Sequence, residues 1–414
     1  MKNNIAQTVT VYLLWLSAIF DPIGSFYGFR YVALISVFII LMYKTILGQI
    51  DVSTETVHFK YILLFCFFLP FYGLIISLIR GGVGGDNFKD TSYFASAVYF
   101  ATTLSFIQRG DISSTIRAFL FSTRILSFVI ILCALAYIFT SSLDYQYYFV
   151  EHGVAYLGTR VYGGITFYYI YFVASPMLIF LLAHESWHVL EKQSVSNFIC
   201  LFIVFIALFL SGTRFSMIVS VITLPVVALF KNRSSRSIFL TCILILLVSV
   251  IAYGNYGDAI MDMLSLEEGS NNAKLSYLEN YYSLFNDPIT FIFGQGFNAH
   301  EWSYEFSNLI IGEASKTELT YLELIRVFGL IGASVFIFFM FYFFTFTKRV
   351  LPEYRWIFVG LALYLLVSSS NPYVFSSNGM LVIGLSACIV SLPCKSKIVK
   401  TDLNKAISMD VKVA

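Results

Sequence analysis

Charge is scarce in this sequence. Lys, Arg, Asp and Glu make up 12% of its 414 residues, against about 25% in an ordinary soluble domain. Too few charges are left to coat a water-facing surface, which excludes a soluble enzyme. Histidine is also sparse, with five in the chain. The six cysteines are Cys66, Cys133, Cys200, Cys242, Cys388 and Cys394. The first five lie inside apolar blocks and none forms a close pair suited to a metal, so they read as small buried hydrophobes. No Walker or dinucleotide fingerprint is present, and no inverted or tandem repeat of the kind used by many secondary transporters. A net charge of +2 gives no reason to expect nucleic acid as a partner.

What the sequence has instead is apolar bulk: 58% hydrophobic residues and 18% aromatics, 43 Phe and 28 Tyr among them. These residues come in blocks, not amphipathic stripes. In lipid the backbone must satisfy its own hydrogen bonds, so such blocks become helices. The expected spans are 8–20, 31–47, 61–79, 93–107, 118–140, 165–183, 197–212, 214–230, 238–253, 319–345, 355–370 and 374–392. The first follows a short MKNN start with no small-residue cleavage site and reads as a retained span. The expected fold is thus an all-α polytopic membrane protein of about twelve transmembrane helices. Residues 1–253 carry helices 1–9, 254–318 form one large outer loop, 319–392 carry helices 10–12 and 393–414 are an inner tail. With both termini inside, 17 of the 26 Lys and Arg fall on inner segments and 7 on outer ones, as the positive-inside rule requires. Arg124 and Arg326 fall within spans.

The loop 254–318 contains LSYLENYYSLF with helical periodicity, then Asp287-Pro288 and Gly294-Gln295-Gly296. A long loop with its own structure is usually functional. Ser211-Gly212-Thr213-Arg214 is a tight turn that sets a guanidinium at the same outer surface, and Arg160 and Lys274 lie on that side too. Arg binds phosphate bidentately and Lys acts as a point charge, so the three together suit a pyrophosphate. Singly, such cations also snorkel to headgroups. The tenth span opens Glu318-Leu-Thr-Tyr-Leu-Glu323-Leu-Ile-Arg326, and Glu323 and Arg326, three apart, share a helix face as a structural pair or a site. Glu318, nearer the outer surface, could take a proton from an attacking hydroxyl. Glu323 and His300, the latter the one histidine of the large loop, are further base candidates.

His184-Glu185-Ser186-Trp187-His188 matches the H-E-x-x-H zinc pattern. A zinc site needs a third protein ligand, and His58 is the one histidine expected on the same face. The motif therefore reads as a polar inner cap, and no metal or other cofactor is expected.

The stretch 270–332 carries a resemblance. It reads Lys274, Tyr277, Tyr281, Asp287-Pro288, Phe293-Gly294-Gln295-Gly296-Phe297, then Glu318-Leu-Thr-Tyr321 through Arg326, Gly329 and Gly332. It resembles the bacterial O-antigen polymerase (Wzy) and O-antigen ligase families, as do the turn 211–214 and the later Asn371-Pro372 and Ser376-Ser377-Asn378-Gly379. The resemblance implies an inner-membrane glycosyltransferase with a periplasmic loop, acting on undecaprenyl-pyrophosphate-linked glycans. It also implies a flippase and a chain-length regulator as working partners. Arg160, Arg214, Lys274 and Arg326 would hold the substrate, and Glu318, His300 or Glu323 would be the base. The ligase pattern has a His-Asn pair where this chain has Glu318-Leu319. That favours the polymerase over the ligase, and the large loop favours it over a lipid-linked oligosaccharide flippase.

Overall fold

The structure is a computed structural model that describes residues 5–22, 28–47, 63–80, 112–140, 144–231, 257–258, 261–262, 265, 269–297, 318–345, 347, 350–371 and 373–390. The expected spans 93–107 and 238–253, and His300, lie outside the described residues.

The chain begins with α1 (Ile5–Phe20) and α2 (Phe29–Ile46). Next comes α3 (Leu63–Ile79), whose first turn, Leu63–Phe68, is π-helical. Pro70 explains that widening, because its nitrogen has no proton to give the preceding turn. Then come α4 (Ile112–Thr140), the short α5 (Asp144–Glu151), and the strands β1 (Ala155–Tyr162) and β2 (Ile165–Phe172). The helices α6 (Leu178–Glu191), α7 (Val195–Leu210) and α8 (Arg214–Lys231) follow. The large loop supplies α9 (Gly269–Phe285) and α10 (Pro288–Phe293). The last three are α11 (Thr320–Thr345), α12 (Trp356–Val367) and α13 (Ser377–Val390).

Three of these helices, α4, α8 and α11, are long and apolar enough to cross a membrane by length and composition, and α1, α3, α7 and α13 are shorter apolar helices. Their outer faces fit lipid. Along α2, Val32, Ile35, Phe38, Ile39 and Met42 are exposed, an arrangement that water would penalise and hydrocarbon accepts. The centre of the bundle is α6. Every residue from Leu178 to Trp187 is buried, against α7, α8 and α12. A helix covered on several sides need not confine its apolar residues to one stripe.

Two expectations need correction. The described fold is mostly helical but not all-α, because β1 and β2 form an antiparallel hairpin with Ala155 opposite Phe172 and Tyr162 opposite Ile165. Its two-residue turn is Gly163-Gly164, both at positive φ as a type I′ turn requires. The expected span 165–183 is therefore strand up to Phe172. Pro176 then sits in a 3₁₀ turn, Ser175–Met177, and the helix starts only at Leu178. Total apolarity is the same for a strand and a helix; the difference lies in period, which a hydropathy count ignores. The helix also continues past residue 183 to Glu191, so the H-E-x-x-H motif lies within its last turns, with His184 and Glu185 buried.

The second correction concerns the tenth span. It is interrupted at Gly329, which has φ 63° and ψ 179° inside an otherwise helical run. Here the loop enters the bundle. The Gln295 amide donates to the Arg326 carbonyl at 2.6 Å, and the Gly296 amide to the Val327 carbonyl at 3.1 Å. The two backbones approach so closely that a Cβ on Gly329 would lie 2.2 Å from the Ile292 carbonyl oxygen, and one on Gly294 would lie 2.5 Å from the Gly329 nitrogen. Gly329→Ala should therefore lose most of the monodisperse protein in detergent size-exclusion chromatography. The backbone conformation alone costs about 1–3 kcal/mol for a non-glycine residue, before the clash is counted. A full yield with an unchanged thermal midpoint would show that this contact does not form.

Candidate functional site

The site is built around α9, and three of its residues, Asn271, Lys274 and Tyr281, reach three different partners. They fall roughly on one face at 3.6 residues per turn. The Arg214 Nη1 donates to Asn271 Oδ1 at 2.8 Å, and Asn271 Nδ2 in turn donates to the Ser265 carbonyl at 2.6 Å. Lys274 Nζ lies 3.2 Å from Glu318 Oε2. The Tyr281 hydroxyl donates to Glu323 Oε2 at 2.7 Å. Arg214 of the turn at 211–214 and α9 thus meet.

Arg214 owes its position to the turn before it. Ser211 caps α7, Gly212 takes φ 73°, and the Thr213 hydroxyl bonds the Ser216 hydroxyl and accepts from its amide, starting α8. The Gly212 carbonyl accepts from Arg160 Nη1 at 3.3 Å. Arg160 lies on β1 opposite Phe167, so Tyr169, two residues further along β2, is its diagonal neighbour on the same face. Its guanidinium sits 4.8 Å from the centre of the Tyr169 ring, a cation–π contact that keeps the charge extended. Arg160 and Arg214 line one cavity of about 180 Å³ together with Tyr162, Tyr169, Gly212 and Met217. The other walls are mostly apolar, Ile138, Phe209 and Leu210 among them, so the two arginines are its charged groups and can pair with an anion.

The carboxylates divide by exposure. The Glu318 side chain is 52% exposed, with Lys274 beside it. Glu323 and Arg326 are buried. Arg326 Nε and Nη2 donate to the two carboxylate oxygens at 2.9 and 2.5 Å, and Arg326 itself is fully enclosed. The structure therefore brings Arg160, Arg214, Lys274 and Glu318 toward one region around α9, and sets Glu323 and Arg326 apart as a closed pair.

Other residues that hold the loop are not apparent from local sequence. Tyr72, Ser77 and Arg80 on α3 and just beyond it bond Phe293, Phe297 and Thr290, more than 200 positions away. Asp287 caps α10 through the Ile289 and Thr290 amides. The Thr290 hydroxyl bonding its carboxylate, ahead of those amides and Arg80, holds the Asp287 carboxyl below the usual range. The Asp-Pro step announced the cap; nothing local announced Arg80. Among the described residues, no three His, Cys, Asp or Glu side chains gather as a metal site.

Residues 199–337 match the family model described as O-Antigen ligase (Wzy_C). That segment runs from α7 into the second half of α11. It contains Arg214, Lys274, the Gly-Gln-Gly turn, Glu318 and the Glu323–Arg326 pair. The match covers about a third of the chain, and over that segment the protein is similar to the O-antigen ligase family. No curated protein is similar enough to the chain to count as a relative.

Proposed function

We propose that the protein polymerises undecaprenyl-pyrophosphate-linked oligosaccharide repeat units into a surface polysaccharide. The reaction takes place at the periplasmic face of the bacterial inner membrane, and both termini are cytoplasmic. The observation that carries this reading is the convergence at α9 of Arg214, through Asn271, and of the Lys274–Glu318 pair, beside the cavity that Arg160 and Arg214 share. In the reaction the bond between the donor sugar's anomeric carbon and the pyrophosphate breaks, and its electron pair leaves with the pyrophosphate. The acceptor hydroxyl forms the new bond, and its proton passes to Glu318. Arg160 and Arg214 take up the charge that develops on the leaving group. Lys274 shares that task, and when it turns to the phosphate it releases Glu318 to act as base. Glu323 and Arg326 hold the start of α11 in place. Tyr281 and the two hydrogen bonds from Arg326 already enclosing Glu323 leave it no route to a substrate proton.

Glu318 at the position where a ligase pattern has His-Asn supports the polymerase reading over ligation. The two cations expected within spans are both tied up, Arg124 on Glu185 and Arg326 on Glu323, which is poorly suited to the charged pathway a flippase needs. A flippase and a chain-length regulator are then partners in the same assembly line.

The test is a host lacking the gene, complemented with variants and read by surface-polysaccharide gel. A polymerase deletion leaves a single repeat on the core. Unligated polymer would identify a ligase, and lipid-linked units trapped inside would identify a flippase. Glu318→Gln should reproduce the deletion, with transfer reduced about 10²–10⁴-fold, the usual contribution of a positioned base. A normal ladder at normal protein level removes Glu318 from the chemistry. A reporter fused near residue 280 and found in the cytosol overturns the whole assignment.

A further inference from the structure

The H-E-x-x-H motif takes no part in the proposed transfer, yet its geometry is unusual. His184 and His188 lie one turn apart on α6, with ring centroids 4.3 Å apart and Nε2 atoms 3.0 Å apart. The other nitrogen of each ring faces a carboxylate. His184 Nδ1 is 3.3 Å from Glu185 Oε1, and His188 Nδ1 is 3.8 Å from Glu191 Oε2. The Trp356 ring packs 4.8 Å from His184 and holds it in place. Carboxylates at Nδ1 with Nε2 atoms converging is the way a protein orients imidazoles toward a metal.

Glu185 does not have the place of a protease's general base. It lies behind His184, and its Oε1 accepts from Arg124 at 2.6 and 3.2 Å. The zinc-protease reading of the motif fails on that contact. What remains is a two-nitrogen chelate. Arg124 beside Glu185, and Lys231 3.7 Å from Glu191, balance the two carboxylates, so the surroundings are neutral before any ion arrives.

We propose that His184 Nε2 and His188 Nε2 form a chelating site for a divalent transition-metal ion, with water completing its coordination. Metal–nitrogen bonds of about 2.0–2.1 Å place two nitrogens ~2.9–3.0 Å apart at a right angle and ~3.3–3.4 Å apart at a tetrahedral angle. The spacing here matches the right angle, which suits tetragonal Cu(II) or Ni(II) before tetrahedral Zn(II), and Cu(II) also stands highest in intrinsic affinity. The His188 side chain is 46% exposed and provides the entry, while that of His184 is 10% exposed. With His184 Nδ1 donating to Glu185, the hydrogen bond between the rings comes from His188 Nε2. When the ion binds, that proton moves to His188 Nδ1 and faces Glu191, so both Nε2 lone pairs are available and no net proton is lost. The helix already fixes both rings, so little ordering opposes binding.

The experiment uses the full chain in detergent, purified through a tag without histidine, stripped with chelator and titrated with copper sulfate. Equilibrium dialysis should give one Cu(II) per chain. Pulsed electron paramagnetic resonance should show a tetragonal signal coupled to two imidazoles, with Zn(II) bound more weakly. His188→Ala and His188→Gln, at a half-exposed position, should each weaken binding at least tenfold, while His152→Ala leaves it unchanged. Absence of stoichiometric copper, coupling to fewer than two imidazoles, or full retention in both His188 variants overturns the site and leaves a hydrogen-bonded histidine pair. The readout is binding, so it stands whether or not the chain proves to be a polymerase.

Discussion

Replacing Arg214 by alanine is expected to reduce surface polymer to the single-repeat pattern of a deletion, at normal protein level. Arg214, at the start of α8, lines the cavity it shares with Arg160, where the proposed pyrophosphate leaving group would gain charge. Removing one donor aimed at developing charge costs about 10²–10³-fold in rate. A lysine at 214 should restore only part of it, because an ammonium cannot match two phosphate oxygens at once. Arg214 also donates to Asn271, so a loss of transfer could come from loosening α9. Asn271→Ala separates the two. It removes the docking contact and leaves the guanidinium, so its ladder should stay close to normal. If Asn271→Ala is as defective as Arg214→Ala, Arg214 serves to hold the loop and the anion-binding role is lost. If Arg214→Ala gives a normal ladder, the cavity is not where the pyrophosphate goes.

Much of this site follows from short-range rules. The turn at 211–214 announces itself by small residues between two apolar runs. The periodicity of LSYLENYYSLF lies within α9, Asp287 before Pro288 is an N-cap, and Glu323 and Arg326 at a spacing of three do pair. The misses share a cause. The hairpin was hidden because Tyr, Phe, Val and Ile count equally toward a span whether they alternate or spiral, and the Gly163-Gly164 pair that marks the turn carries no hydropathy. The break in α11 was hidden because Gly329 is a tolerated residue in an apolar helix. Its left-handed conformation is set by Ile292 to Gly296 packing against it, a long-range contact that no local pattern encodes. Arg80 holds Thr290, and Tyr281 holds Glu323, for the same reason. The motif at 184–188 was legible as a pattern, but its partial burial depends on the helices packed against α6, which no local pattern encodes.

The Glu323–Arg326 pair gives the second large expected effect, on stability more than on chemistry. Both side chains are enclosed, and they meet through two hydrogen bonds with a third from Tyr281. Taking one partner away leaves the other as a buried charge without its counter-ion, which costs about 3–5 kcal/mol. Glu323→Leu and Arg326→Met should each lower the thermal midpoint in detergent sharply. Tyr281→Phe removes one bond to a charged acceptor and should cost about 1.5–3 kcal/mol. The double variant Glu323→Leu/Arg326→Met carries no buried charge, so it should recover much of the loss despite two changed residues. A double variant no better than the worse single one would mean that the two do not compensate each other. The recovered protein then answers a functional question. If it restores a polymer ladder, the pair only anchors the start of α11. If it folds but leaves single repeats, the charges themselves act on the reaction, and the substrate-binding role first read for Arg326 returns in place of the structural one.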